Sequence, residues 1–237
     1  MEAIIARLEA VQSEIRQAAI AAGRNPGEIT LCAATKVQTG DTIRAAIAAG
    51  VTVCGENRVQ ELVAHQEEGA YEGARVHFIG HLQRNKVKYV VGKVDLIQSV
   101  DGEELLHLIE KQAAKLGVCQ HILIEVNIAG EESKSGVTPQ QAHHLAQLAG
   151  QMDHVVVRGL MAIPPVAENH GENRRFFAMM RRLFIDINEK KYDNKNTMDI
   201  LSMGMSGDFA DAIAEGANLV RIGTAIFGQR PANRAQG

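Results

Sequence analysis

The run Ile29-Thr30-Leu31-Cys32-Ala33-Ala34-Thr35-Lys36 sets a pattern that recurs along the whole chain. A short apolar, β-branched segment of this kind is typical of a buried strand. Eight such segments are present, at 29–34, 51–54, 76–79, 94–97, 122–126, 155–160, 198–201 and 219–222. The sequence therefore predicts eight strands.

Helical patterns separate these runs, at 41–49, 57–68, 83–91, 102–116, 138–150, 171–190 and 207–216. Alternation of strand and helix implies parallel strands, and eight of them within about 250 residues are typical of a closed (β/α)8 TIM barrel, an α/β fold. A doubly wound open sheet usually has fewer strands. Since only seven helices lie between eight strands, we expect the amphipathic helix of residues 2–22 to cover the remaining flank.

Length, charge and composition narrow the class of protein. No linker rich in Pro, Gly or Ser divides the 237 residues, so we predict a single domain over 1–237. The formal net charge of -3 lacks the basic excess of a nucleic-acid-binding protein. The first 22 residues contain neither a secretory signal nor a bilayer span, so we expect a cytoplasmic protein without membrane contact.

The cysteines Cys32, Cys54 and Cys119 are odd in number and far apart. Each lies in an apolar, strand-like run, which predicts reduced core thiols and no disulfide framework. Their spacing also fits no zinc site, so we expect no bound metal.

Lys36 is the candidate nucleophile, because it directly follows the first predicted strand. Active sites of TIM barrels lie where the strands end, and a partly desolvated ammonium there can lose its proton and form an imine. Most lysines in such loops are simply solvated. Position alone therefore leaves both interpretations open.

Two glycine-rich segments follow the seventh and eighth runs, where many barrels bind phosphate. In residues 202–208 two glycines and the hydroxyl of Ser206 suit an anion at a helix start, although Ser206 equally suits a helix cap. In residues 221–225 Gly223 and Thr224 offer amides and a hydroxyl. Arg221 alternates with apolar neighbours and should point into the barrel mouth, as a ligand contact or as part of a structural ion pair.

These residues, with several longer blocks, resemble the pyridoxal phosphate homeostasis proteins, also called the YggS or proline synthetase co-transcribed family. The similarity extends from about residue 30 to residue 228. The blocks that carry it are Ala34-Thr35-Lys36, Gly55-Glu56-Asn57-Arg58-Val59-Gln60-Glu61, His77-Phe78-Ile79-Gly80-His81-Leu82-Gln83-Arg84-Asn85-Lys86, Ser133-Lys134-Ser135-Gly136, Gly159-Leu160-Met161, Ser202-Met203-Gly204-Met205-Ser206 and Arg221-Ile222-Gly223-Thr224.

The resemblance implies a barrel like the N-terminal domain of alanine racemase, known as fold type III, with pyridoxal 5'-phosphate held on Lys36 as a Schiff base. It also implies that Ser206, Gly223 and Thr224 hold the phosphate. Arg221 would meet the pyridine nitrogen and keep it unprotonated, which weakens the ring as an electron sink. The predicted cofactor-binding set is Lys36, Asn57, His81, Met161, Ser202, Met203, Ser206, Arg221, Gly223 and Thr224.

Several of these residues have a second interpretation. Asn57 approaches the ring hydroxyl or caps the following helix. His81 lines the pocket or is a packed, hydrogen-bonded residue, and Met161 forms a wall of the pocket. The loop of Ser133-Lys134-Ser135-Gly136 contacts a phosphate or a partner, or it is solvated, as its composition favours.

For function, the sequence favours a monomeric protein that carries or buffers the cofactor in vitamin B6 homeostasis and passes it transiently to pyridoxal phosphate-dependent apoenzymes. Racemisation needs a second acid or base, and in alanine racemase this is a tyrosine. Here the tyrosines Tyr71, Tyr89 and Tyr192 lie away from the strand ends. A weak amino-acid racemase, or another enzyme that uses the cofactor, is the alternative. A phosphosugar aldolase or isomerase barrel without the cofactor is a third hypothesis.

Overall fold

The computed structural model describes residues 2–131, 134–167, 169, 171–190 and 197–228. Within these ranges eight parallel strands pair in sequence order, and the eighth closes against the first, so the sheet is a closed barrel. The predicted TIM barrel and its eight strands are confirmed. The strands are β1 (Thr30–Ala34), β2 (Val53–Glu56), β3 (Arg75–Phe78), β4 (Leu96–Val100), β5 (Gln120–Glu125), β6 (Val155–Met161), β7 (Ile200–Ser202) and β8 (Leu219–Ile222).

Helices surround the barrel, as predicted. They are α1 (Glu2–Ala21), α2 (Gly40–Ala48), α3 (Val59–Glu67), α4 (Glu103–Leu116), α5 (Pro139–Ala149), α6 (Arg174–Lys190), α7 (Phe209–Ala214) and α8 (Thr224–Phe227). Helix α8 and a 3-10 helix at Pro26–Glu28 were not predicted. The α-helix predicted at 83–91 is instead a 3-10 helix, Arg84–Tyr89, with Val87 as its one buried residue. A single apolar anchor and several cations do not support a longer amphipathic helix.

Helix α1 covers the flank of the barrel beside the last two helices, as the sequence predicts. It contacts α7 and α8. The Arg7 Nε donates a hydrogen bond of 2.7 Å to the carbonyl of Ile226 in α8. Its buried residues recur at helical spacing and form one face, namely Leu8, Val11, Ile15 and Ala19. In the described part of the chain, no helix combines the length and the apolar character needed to cross a membrane.

Two small apolar clusters lie inside the barrel, Cys32 with Val53 and Leu219, and Leu96 with Leu123 and Met161. Cys32 and Cys54 are buried, free thiols, as predicted. For Cys119 the prediction is wrong, since its free thiol is exposed. The residue precedes β5 in the turn that follows α4, and therefore never enters the sheet.

Candidate functional site

A cavity of about 520 Å³ opens at the carboxyl end of the barrel. Its wall is formed by the ends of β1, β2, β3, β5, β6, β7 and β8 and by the loops that follow them. This is the end at which TIM barrels place their active sites, and the volume suits a small cofactor.

Most of the predicted site residues meet at this cavity. Those on its wall are Lys36, Asn57, His81, Ser206, Arg221, Gly223 and Thr224. Met161, Ser202 and Met203 do not reach the wall, because their side chains are fully buried. Met161 packs inside the barrel and Met203 in the main core, so neither forms the predicted pocket contact. Ser202 instead supports Arg221 from behind the wall.

Lys36 stands at a backbone turn that its neighbours hold in place. Thr35, just before it, donates a hydrogen bond of 2.7 Å from Oγ1 to Oε1 of the buried Glu56. Val37, just after it, has φ 59° and is the one non-glycine residue with positive φ in the described chain. This conformation is strained for a β-branched residue, and the N–H of Val37 donates to Glu61 Oε2 at 2.9 Å. Hydrogen bonds therefore hold the residues on both sides of Lys36 in place.

The turn after β7 needs glycine for two reasons. Gly204 has φ 92°, and a Cβ there would lie 2.6 Å from Cβ of Ala212 in α7.

The same turn is joined to the loop after β8. Ser206 Oγ accepts a hydrogen bond of 3.4 Å from the N–H of Ala225. Within the described residues, no hydrogen bond uses the N–H of four cavity-wall residues, Ser206, Gly207, Gly223 and Thr224. These amides are available to an anionic ligand.

Arg221 is a buried cation at the cavity wall, only 5% exposed. Its Nη1 donates to Ser202 Oγ at 2.6 Å, and its Nη2 donates to the carbonyl of Ala162 at 2.9 Å. No carboxylate of the described residues forms an ion pair with it, which favours the ligand contact over the structural ion pair. Burial lowers the pKa of Arg221, and the nearby groups of Cys32 and Glu125 act in the opposite direction.

Glu125, the last residue of β5, also lines the cavity and was not predicted. It is 6% exposed. Burial, with a smaller effect of Asp101, raises the pKa of Glu125 to about 7, against the attraction of Arg221. The rule that a strand end carries the reactive side chain, which selects Lys36, also selects Glu125.

The loop after β5 reaches the cavity through Lys134 and Ser135, although its composition favours a solvated loop. Both side chains are exposed and still form part of the wall. Ser133 lies outside the described residues. With Lys36 and Arg221, Lys134 gives the wall three cations against the single carboxyl of Glu125 in the described chain, a balance that attracts a dianionic phosphate.

Asn57 is not a helix cap, because Arg58 occupies that position before α3. Its Oδ1 is buried and forms no hydrogen bond within the described residues, so the amide can meet a ligand. Gly80 packs against it, since a Cβ at this glycine would lie 2.2 Å from the carbonyl oxygen of Asn57. His81 is largely exposed at the rim, and its Nδ1 lies 3.2 Å from Oδ2 of Asp101.

Comparisons with known proteins agree on one family. A family model described as "Alanine racemase, N-terminal domain" matches residues 7–231. A pyridoxal phosphate homeostasis protein of Aquifex aeolicus is 43% identical over 224 residues, which cover 94% of this chain and 97% of the relative. One from Pseudomonas aeruginosa is 37% identical over 230 residues, 97% of each chain. PipY of Synechococcus elongatus PCC7942, solved with PLP bound, superposes with a TM-score of 0.82 at 32% identity, over 95% of this chain and 100% of that one.

Proposed function

This chain belongs to the alanine racemase N-terminal domain family and, within it, to the pyridoxal phosphate homeostasis proteins, and on that premise we propose that it binds pyridoxal 5'-phosphate in the cavity and carries or buffers it. We also propose that residues 1–237 act as one domain and as a monomer. The protein would work in the cytoplasm and pass the cofactor transiently to apoenzymes that depend on it.

This proposal is supported above all by the position of an amine and a candidate anion site on the wall of the same cavity. Lys36 lies on the wall with Ser206, Gly223 and Thr224, which come from the far end of the sequence. In our proposal the Nζ of Lys36 forms the imine with the aldehyde of the cofactor. The hydroxyl of Ser206 and the unused amides of both loops hold the phosphate.

The residues around the cavity also fit the ring of this cofactor. Arg221 presents a cation that forms no ion pair with a carboxylate of the described chain, which suits an unprotonated pyridine nitrogen. The unsatisfied Oδ1 of Asn57 suits a ring hydroxyl that donates a hydrogen bond. When bound, the cofactor supplies a reactive aldehyde, and a lysine that binds it reversibly can both store and release it.

A second candidate function is weak racemisation of a small amino acid, and Glu125 favours it. In a closed barrel of eight strands, β5 lies opposite β1, so Glu125 and Lys36 approach the cavity from opposite sides. Neither Tyr71 nor Tyr89 lines the cavity, and Tyr192 lies outside the described residues. Glu125 is therefore the group placed to exchange a proton on the side away from Lys36.

Transfer of the cofactor tests the proposed function. Purified protein is loaded with pyridoxal 5'-phosphate, freed of excess, and mixed with the apo form of an aminotransferase, whose recovered activity reports the transfer. We expect stoichiometric loading and transfer by the wild type and by Lys88→Ala, a lysine outside the cavity, and a large loss in Lys36→Ala. A wild-type protein that takes up no cofactor would contradict the proposal.

A separate assay distinguishes a carrier from an enzyme. Loaded protein is incubated with single enantiomers of amino acids in deuterated water, and the mirror form and deuterium at the α carbon are measured. A carrier gives neither above a trace. Turnover at ordinary enzymatic rates that is lost in both Lys36→Ala and Glu125→Gln would establish the racemase instead.

A further inference from the structure

A network of buried polar side chains crosses the interior of the barrel. Arg221 on β8 donates from Nη1 to Ser202 Oγ on β7 at 2.6 Å. Ser202 Oγ donates to Gln98 Oε1 on β4 at 2.7 Å. Gln98 Nε2 lies 2.9 Å from His77 Nδ1 on β3. All four side chains are at most 5% exposed. We call these residues the Arg221–His77 network.

The guanidinium of Arg221 can only donate, and the hydrogen bonds of the network run from it towards His77. Ser202 Oγ accepts from it and donates its own proton to the Oε1 of Gln98. The amide NH₂ of Gln98 then faces His77, whose Nδ1 accepts. His77 is therefore neutral with its proton on Nε2, in agreement with burial and Arg75 lowering the pKa of His77 to about 3.

Polar groups at these positions are unusual, since branched apolar side chains fill most TIM barrels. Around the network the interior is apolar, with Leu96, Leu123 and Met161 among its residues. A buried polar network is costly when a member lacks a hydrogen-bond partner, and it holds its members rigidly when all have one. Here each link has a partner, and the network ends on a cation that lines the ligand cavity. This arrangement points to a role at the cavity.

We propose that His77, Gln98 and Ser202 are positioning residues that together fix the guanidinium of Arg221 where it meets the ring nitrogen of pyridoxal 5'-phosphate. The inference rests on the proposed function, and it concerns a part of the site that is separate from the amine of Lys36. His77 lies at the far end, on the wall of a second cavity of about 440 Å³ at the opposite mouth of the barrel. The network thus anchors the ligand-facing arginine across the barrel.

Gln98→Leu tests this inference, because leucine keeps the size of the side chain and removes both hydrogen bonds. Two ligands are compared by equilibrium binding, pyridoxal 5'-phosphate and its 1-deaza analogue, in which a C–H group replaces the ring nitrogen. We expect the affinity for pyridoxal 5'-phosphate to fall about ten-fold, while that for the analogue changes less than about two-fold.

Gln120→Leu is the matched control, because Gln120 is another buried glutamine, bonded to the carbonyls of Val94 and His121 and outside the network. We expect it to leave both affinities unchanged. Ser202→Ala breaks the network beside Arg221 and should repeat the selective loss if Gln98→Leu does not fold. Nitrogen-15 NMR of the apoprotein gives an independent measure, since His77 should be neutral with its proton on Nε2 in the wild type and should lose that single form in Gln98→Leu.

The outcomes separate this inference from the proposed function. Equal losses for both ligands, or no loss for either, would overturn the positioning role, and so would a protonated His77 in the wild type. Failure of the wild type to bind either ligand would overturn the proposed function. The NMR spectrum of the apoprotein would still decide whether the network has the inferred direction.

Discussion

Among the single residues of the cavity wall, Glu125 should make the stability of the protein depend on pH. Burial raises the pKa of this carboxyl from 4.5 to about 7, so across that interval the folded protein keeps a proton that the unfolded chain has lost. The contribution of Glu125 to the stability of the folded protein is therefore fully present below pH 4.5, and it is lost as the pH rises to about 7. The loss is on the order of 3 kcal/mol.

Glu125→Gln should remove this decline. We expect the free energy of unfolding of the variant, relative to that of the wild type, to rise by up to about 3 kcal/mol from pH 4.5 to pH 8. The measurement is urea unfolding of both proteins across that range. Glu72→Gln, at an exposed position, is the control for the substitution itself. A flat difference for Glu125→Gln would show that the carboxyl is not held in a desolvated site.

The position of a candidate site residue could be predicted from the sequence where the residue lies at a strand end, and could not where packing decides it. Lys36 and Arg221 reach the cavity as expected, because strand order and alternation determine their positions. Met161 and Met203 were predicted as contacts and are fully buried, one inside the barrel and the other in the main core, since a motif does not reveal how its side chains pack. Lys134 reaches the wall only because the barrel brings its loop to the cavity.

At the level of elements, the turn between β7 and α7 joins the proposed anion site to the fold. Gly204→Ala should destabilise the protein by more than about 2 kcal/mol, because the new Cβ meets Ala212 at 2.6 Å and the positive φ disfavours it. Gly207→Ala is the matched control, since a Cβ there has nothing within 4 Å. Its effect should stay within about 0.5 kcal/mol.

Chemical unfolding of the two variants by urea measures this difference. Equal stabilities for Gly204→Ala and Gly207→Ala would mean that the turn does not pack on α7 as described. We also expect phosphate affinity to fall in Gly204→Ala, since the same turn carries Ser206. Inorganic phosphate is the probe for that measurement.

The elements themselves were largely predictable, because strand runs and helical periodicity depend on local sequence. All eight strands were predicted, with ends that shift by up to three residues. The helix type at Arg84–Tyr89 was not, because the hydrogen-bond pattern of a short segment depends on its tertiary anchors. Helix α8 was missed, since it is one turn long.

For the whole molecule, α1 should be an integral part of the barrel and not an appendage. Leu8→Ala should cost about 2 to 5 kcal/mol, because Leu8 is fully buried. Ile20→Ala, on the same helix but 66% exposed, should cost less than about 0.5 kcal/mol. Urea unfolding measures both.

Two probes then test whether the chain unfolds as one unit. Far-UV circular dichroism follows all the helices, and tyrosine fluorescence follows the three tyrosines of a chain that has no tryptophan. We expect the two transitions to coincide in the wild type and in Leu8→Ala. Two separate transitions would argue for two domains and against the single domain proposed above.

The proposed function depends most directly on the amine of Lys36, which would carry the aldehyde of the cofactor. Borohydride reduction of the loaded protein converts the imine to a stable secondary amine, which blocks trypsin at that lysine. Mass spectrometry should then find the adduct on one peptide that spans residues 25–44, with Lys36 uncut. An adduct confined to any other lysine, or no adduct at all, would contradict this role of Lys36.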